Sequence, residues 1–280
     1  MAQPRAWRRF TGRALYYVPR AALAALYMVP LIWIVSTSFR TGANLFDPSQ
    51  WIPRPSTTQH YEKLFELLPD LPRYAFNTLR IAFLATIGTL LTSSMAGYAL
   101  ARLRFPGRGL LFILIIATLM VPAQVTLIPN YVLIRHLGLI NTPWSIIVPA
   151  VLGNAYNTFF FRQFFLGIPH ELEEAAYIDG ASYYRVYWSI IMPLARPAFW
   201  TLGLLTFVGH WNGFFAPAVF LQTQDQWVLT QALRSLLGTS NQRWGEIMAG
   251  VTLMSIPMFI VFIALQRYIV QGVSVGALKE

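Results

Sequence analysis

An all-α membrane protein of six transmembrane helices is the fold this sequence predicts. Of its 280 residues, 56% are hydrophobic and 11% charged, whereas about a quarter are charged in ordinary soluble domains. The apolar residues gather into six stretches without charge, and about 20 such residues in helix cross the hydrocarbon core of a bilayer. Between the fourth and fifth stretches lies a longer polar segment with the pattern of a short helical elbow.

The six stretches run Ala21 to Phe39, Ile81 to Ala101, Gly109 to Ile134, Leu137 to Phe161, Pro197 to Gln224 and Ile247 to Gln266. The first follows an arginine-rich start, as a signal peptide would, but it exceeds a typical h-region and lacks an A-x-A site, so it reads as a retained helix. The third, fourth and fifth hold Pro122, Pro129, Pro143, Pro149 and Pro217. Membrane helices tolerate proline when neighbours satisfy the freed backbone groups, so kinked, packed spans are expected. Residues 1–20 are then a cytoplasmic amino-terminal segment, 21–270 the transmembrane domain with its inner loop at 162–196, and 271–280 a cytoplasmic tail.

The net charge of +10 would suggest nucleic acid in a soluble protein. Here it follows topology instead. Arg5, Arg8, Arg9, Arg13 and Arg20 precede the first span, and Arg102, Arg104 and Arg108 fill the second connection, which places both in the cytoplasm. With six spans the carboxyl end is cytoplasmic as well. The chain has no cysteine, which excludes disulfides, thiolate metal sites and a cysteine nucleophile.

All 11 carboxylates lie outside the stretches or at their boundaries. A proton- or sodium-coupled carrier usually needs ionisable groups at membrane depth to bind its driving ion. ATP hydrolysis by the chain itself is excluded, because a phosphate-binding loop needs a lysine between glycine and a hydroxyl residue. The only lysines, Lys63 and Lys279, sit in Glu-Lys-Leu and Leu-Lys-Glu. Among the 4 histidines only His210 falls within a span, and none forms an H-E-x-x-H pair. Its expected role is hydrogen bonding between helices. No catalytic and no metal-binding residue is predicted.

The inner loop from Arg162 to Arg196 reads as two short helices separated by glycine. Pro169 suits a first helical position, and Glu171, Glu173 and Glu174 crowd the early turns, where the helix dipole favours anions. Asp179 and Gly180 set up the stop, and Ser182 can cap the second helix. Tyr183, Val186, Tyr187, Ile190 and Leu194 recur there at helical spacing and form one apolar face. Ala175 and Ala176 are small enough for another surface to approach the backbone. An interfacial amphipathic loop with no docking role has the same periodicity.

These residues resemble the E-A-A loop of binding-protein-dependent ABC importer permeases, E-A-A-x-x-D-G-A followed by an aromatic residue, isoleucine and P-L-x-x-P. Here the pattern is Glu174, Ala175, Ala176, Asp179, Gly180, Ala181, then Tyr187, Ile190, Pro193, Leu194 and Pro197. Leu103 to Gly107, Met120 to Pro122, Leu127 to Pro129, Leu137 to Leu139, Asn141-Thr142, and the tail through Lys279 resemble the carbohydrate branch of that family. The resemblance covers the chain from about Pro30 to its end.

The resemblance implies a cytoplasmic coupling helix between helices 4 and 5 and import of a sugar or sugar-like solute across a bacterial inner membrane. The implied partners are a second related permease forming a heterodimer, two ATP-hydrolysing subunits, an extracytoplasmic solute-binding protein and membrane lipid, with no nucleic acid. No cofactor is expected on this chain, since ATP and Mg would be bound by the ATPases. Glu174, Ala175, Ala176, Asp179, Gly180, Ala181 and Pro193 are the implied ATPase-coupling residues, and Gly276, Ala277 and Lys279 a second contact from the tail. Gly213 stands where the family carries an acidic residue after its Trp-Asn pair. A self-sufficient secondary carrier for a small polar solute is the alternative, and an intramembrane hydrolase a third reading.

A solute path needs polar or aromatic side chains at membrane depth, where they are costly against lipid. Gln124, Asn130, Asn154, Tyr156, Asn157, Trp211 and Asn212 are the candidates. Amides and aromatic faces suit a neutral polyol, though the same residues also serve as hydrogen-bonding partners between helices.

Overall fold

The computed structural model describes residues 5–42, 45–47, 51–238 and 243–277. Every regular element among these residues is helical. They divide into two compact units, residues 1–69 with 235–255 and residues 70–234 with 256–280.

The first unit contains α1 (Arg5–Ser38), α2 (Gln59–Leu67) and the start of α14 (Trp244–Ala277). α1 begins well before the predicted Ala21 boundary. Its outward face carries Leu23, Leu26 and Tyr27, all exposed. Beyond α1 the chain packs around Arg40, which is fully buried. The Arg40 guanidinium lies 4.2 Å over the Trp33 ring and donates to the carbonyls of Leu45 at 3.2 Å and Asp47 at 3.0 Å. His60 Nε2 donates to the Arg40 carbonyl at 2.8 Å, and its Nδ1 faces Glu246 at 3.5 Å. Gly245 leaves room for that ring, since a Cβ there would clash with it.

The second unit is built on α3 (Leu71–Arg102), which packs against α6 (Trp144–Leu152), α7 (Ala155–Leu166) and α11 (Arg196–Trp211). Two glycines set how closely α3 is approached. A Cβ on Gly88 would clash with Val151 Cγ2, and one on Gly97 would meet Phe161 Cβ at 2.8 Å and the Arg162 backbone nitrogen at 3.0 Å. Small residues at such crossings give van der Waals contact between backbones, the main source of helix association where water supplies no hydrophobic drive.

Three of the six predicted stretches fall on α1, α3 and α14, the helices long and apolar enough to cross a membrane individually. The other three are broken. The third divides into α4 (Arg108–Thr118) and α5 (Leu127–His136), the fourth into α6 and α7, and the fifth into α11 and α12 (Phe215–Phe220). The breaks have local causes. Pro122 stands between α4 and α5, and between α6 and α7 Gly153 and Asn154 are both extended, at φ 176° and −131°.

Helix breaks free backbone carbonyls, which at membrane depth must find donors inside the protein. α3 supplies them to the fourth stretch: Thr89 Oγ1 donates to the Ala150 carbonyl at 2.8 Å, and Ser93 Oγ reaches the Asn154 carbonyl at 3.5 Å. Asn154 itself caps α7, accepting the Asn157 N–H at 2.9 Å.

Replacing Gly97 by alanine should force α3 and α7 apart at a cost of about 1–3 kcal/mol, typical of overpacking. Gly109→Ala, within α4 and where a Cβ meets nothing within 4 Å, should not destabilise, since alanine is the better helix former. Thermal denaturation of the two variants in detergent measures the difference.

Candidate functional site

The inner loop forms the expected elbow. α8 (Glu171–Ile178) carries Glu171, Glu173 and Glu174 in its first turn. Gly180, at φ +78°, turns the chain in the left-handed region, and the Ser182 side chain caps α9 (Tyr183–Val186) by accepting the Arg185 N–H at 3.4 Å. A π-helical turn, Tyr187–Ile191, leads to α10 (Met192–Leu194), and the chain then bends by 75° into α11.

The π turn corrects one expectation. A regular helix would have buried Ile190 and Leu194, but the extra residue in the wide turn shifts the face. Val186, Tyr187, Ile191 and Ala195 are buried, while Leu194 is exposed. With Tyr98, Phe161, Phe165 and Leu202 they form the core beneath the elbow. Tyr187 is tied to α3 by a 2.7 Å hydrogen bond between its hydroxyl and Ser94 Oγ.

The elbow is fastened by Arg102, the last residue of α3. Its side chain is 1% exposed and that of Glu173 5%, and Arg102 Nε lies 2.9 Å from Glu173 Oε1. This contact is an ion pair without hydrogen-bond alignment. The guanidinium also donates to the carbonyls of Phe165, at 2.6 Å, and Ile168. One cation thus caps the end of α7 and pairs with the acid at the start of α8. Both placements are favourable, since a helix carries partial negative charge at its carboxyl end and positive charge at its amino end. Tyr98 adds a donor to Glu173 Oε2 at 3.4 Å.

Glu173 therefore faces inward, while Glu174, Ala175, Asp179, Gly180 and Pro193 are exposed and Ala176 and Ala181 are half-buried against the core. Sequence reasoning grouped Glu173 with its acidic neighbours. The signal available was its helical spacing from Ala176 and Tyr177, which also lie on the core side. Beside the pair, a hollow of about 840 Å³ is lined by Arg102, Glu173, Glu174, Tyr177 and Tyr184. Burial raises the Tyr177 phenol above its ordinary pKa, so it stays a neutral hydroxyl there. In the tail, Gly276 and Ala277 end α14, and Lys279 lies outside the described residues.

The seven solute-path candidates separate. Asn154 is spent as a cap, and Asn157 Nδ2 donates to Thr206 Oγ1 at 3.0 Å, joining α7 to α11. Trp211 is buried and stacks on Phe207, Asn212 follows α11 exposed, and Tyr156 is exposed with its ring near Phe160. Gln124 and Asn130 meet in one cleft of about 440 Å³, together with Thr78, Ser145, His210 and Gly213. Its walls include the α4–α5 and α11–α12 breaks. Irregular backbone at membrane depth is tolerated where it is buried in protein or lines a cavity. Among the described residues, no Asp, Glu, Lys or Arg lines the cleft.

A family model described as "Binding-protein-dependent transport system inner membrane component" matches residues 88–275. The arabinooligosaccharides transport system permease protein AraQ of Halalkalibacterium halodurans is 33% identical over 92% of this chain and 94% of its own length. The sulfoquinovosyl glycerol transport system permease protein SmoH of Agrobacterium fabrum is 33% identical, covering 96% of this chain and 95% of its own. The fold is similar to a crystal structure of a bacterial ABC transporter involved in the import of the acidic polysaccharide alginate. That similarity has a TM-score of 0.75 and 27% identity, and covers 96% of this chain and 99% of that one.

Removing one partner of a buried ion pair leaves an uncompensated charge and costs about 3–5 kcal/mol, whereas apolar replacement of both is close to neutral. Glu173→Ala should accordingly expose the 162–196 segment to protease in the purified protein. The double variant Arg102→Met with Glu173→Leu should recover most of the protection. Equal cleavage of all three proteins would show that the pair does not hold the elbow.

Proposed function

The chain belongs to the family of binding-protein-dependent transport system inner membrane components, and from that membership we propose that it spans the membrane six times and carries a sugar or sugar-like solute inward. It is the permease subunit of an ATP-binding-cassette importer in the bacterial inner membrane, working with a solute-binding protein, a partner permease and ATPase. In this reading the partner permease is a related chain forming a heterodimer, two ATPase subunits bind ATP and Mg, and both termini of the chain are cytoplasmic. The saccharides and saccharide derivatives named for its relatives support the solute class.

One observation carries the mechanism: α8 offers Glu174, Ala175, Asp179 and Gly180 outward while Glu173 bolts its opposite side to Arg102. A helix held on one side and bare on the other transmits force. Closure of the ATPases against its exposed side would move α8, and Arg102 would pass that movement directly to α3, the helix on which the second unit is built. The sequence contains no phosphate-binding loop, so the energy enters through this contact. Ala176 and Ala181 keep the packing beneath it thin, and Pro193, near the 75° bend into α11, marks where the movement would enter the fifth span. Gly276, Ala277 and Lys279 would add a second contact from the tail.

The test is reconstitution in vesicles with the partner permease, ATPases and binding protein, following radiolabelled lactose and arabinooligosaccharides. Uptake should require ATP and every partner. Glu174→Lys should leave the complex assembled yet lower the solute imported per ATP by about tenfold or more, the size of a coupling of about 1–3 kcal/mol. Uptake by the chain alone on an ion gradient would overturn the assignment in favour of a self-sufficient carrier.

A further inference from the structure

We infer that His210, with Gln124 and Asn130, forms a solute-contact site in this subunit that takes an uncharged polyhydroxylated molecule. The inference rests on the importer reading above and concerns where, within this chain, the solute is touched.

The polar residues of the 440 Å³ cleft differ in what remains of their hydrogen-bonding capacity. Its hydroxyls are committed to the backbone: Thr78 Oγ1 donates to Tyr74 at 2.8 Å, Thr126 Oγ1 to Ala123 at 3.0 Å and Ser145 Oγ to Thr142 at 2.6 Å. Among the described residues, the side chains of Gln124, Asn130 and His210 have no hydrogen-bond partner. All three line this cleft. Expected to join helices, His210 makes no such bond among the described residues and lines the same cleft as the two spare amides.

Polar side chains at membrane depth are costly unless they face a wet cavity or a partner. Three unspent groups converging on one cleft therefore indicate a ligand or the water it displaces. Two amides and an imidazole present both donors and acceptors, which matches hydroxyl groups. Among the described residues, the cleft offers no carboxylate to a cation and no Lys or Arg to an anion. Phe214, Phe215 and Phe220 supply apolar walls for the C–H faces of a sugar, and the volume lies within the roughly 300–1,000 Å³ of small-molecule sites. Gly209 also lines the cleft, and its Cβ position has nothing within 4 Å, so a side chain introduced there meets open space.

The chain has no cysteine, so single-cysteine reporters on it are free of background. In the assembled transporter in proteoliposomes, Gly209→Cys should react with a water-soluble maleimide, and binding protein loaded with lactose or arabinotriose should slow the reaction. His210→Ala and Asn130→Ala should each reduce uptake of the imported saccharide about fivefold, as loss of a neutral hydrogen bond of about 1 kcal/mol predicts. His210→Gln should recover most of it, which a purely structural role would not require. Co-purification with the partner subunits checks assembly. If His210→Ala fails to assemble, the protection of Gly209→Cys decides alone.

Unchanged uptake in both alanine variants would overturn the inference while leaving the importer reading intact. So would a Gly209 cysteine that does not react, or that no saccharide protects although the wild type imports it. A wild-type complex that imports no saccharide would overturn the importer reading and this inference together.

Discussion

A single buried cation, Arg102, fixes the geometry on which the elbow end of the second unit depends. It sits where three backbones meet: the end of α3, the end of α7 and the start of α8. With its side chain 1% exposed, it would be severely penalised without compensation. The carbonyls of Phe165 and Ile168 and the carboxylate of Glu173 provide that compensation. The charge is thereby a positional constraint as much as a source of stability. Its consequence is the outward presentation of Glu174 and its small neighbours.

α3 performs a second task of the same kind deeper in the membrane. The fourth and fifth stretches are interrupted, and interruptions release carbonyls that lipid cannot satisfy. Thr89 and Ser93 answer those released in the fourth stretch, Gly88 and Gly97 let the flanking helices approach closely, and the resulting packing tolerates broken helices. Elsewhere the broken ends border the cleft that gathers Gln124, Asn130 and His210. Irregular backbone at this depth is tolerated where it is buried in protein or lines a cavity, and these breaks border one.

Much of this was legible in the residues. The absence of charge over long stretches predicted apolar helices, and α1, α3 and α14 follow it, because a bilayer accepts little else. The three proline- and glycine-bearing stretches were expected to kink. They break outright, since two extended residues at Gly153 and Asn154 interrupt a helix where proline alone can bend it. Glu171 to Glu174, Gly180 and Ser182 announced a short helix, its stop and the next cap, because these effects act within a turn or two of the chain.

What the sequence alone determined, then, is what depends on neighbours along the chain: the class of fold, the elbow, its acidic start and its glycine turn. Which acid faces inward was decided by Arg102, more than sixty residues away, and the buried face beyond the elbow by a π turn that periodicity does not reveal. The division of the polar candidates into helix caps, helix ties and cleft residues was likewise tertiary. Asn157 and Asn130 are chemically identical, and only the position of Thr206 beside one and open space beside the other separates them. Hydrogen-bonding capacity is a property of a side chain, but whether it is already spent is a property of the packed structure around it.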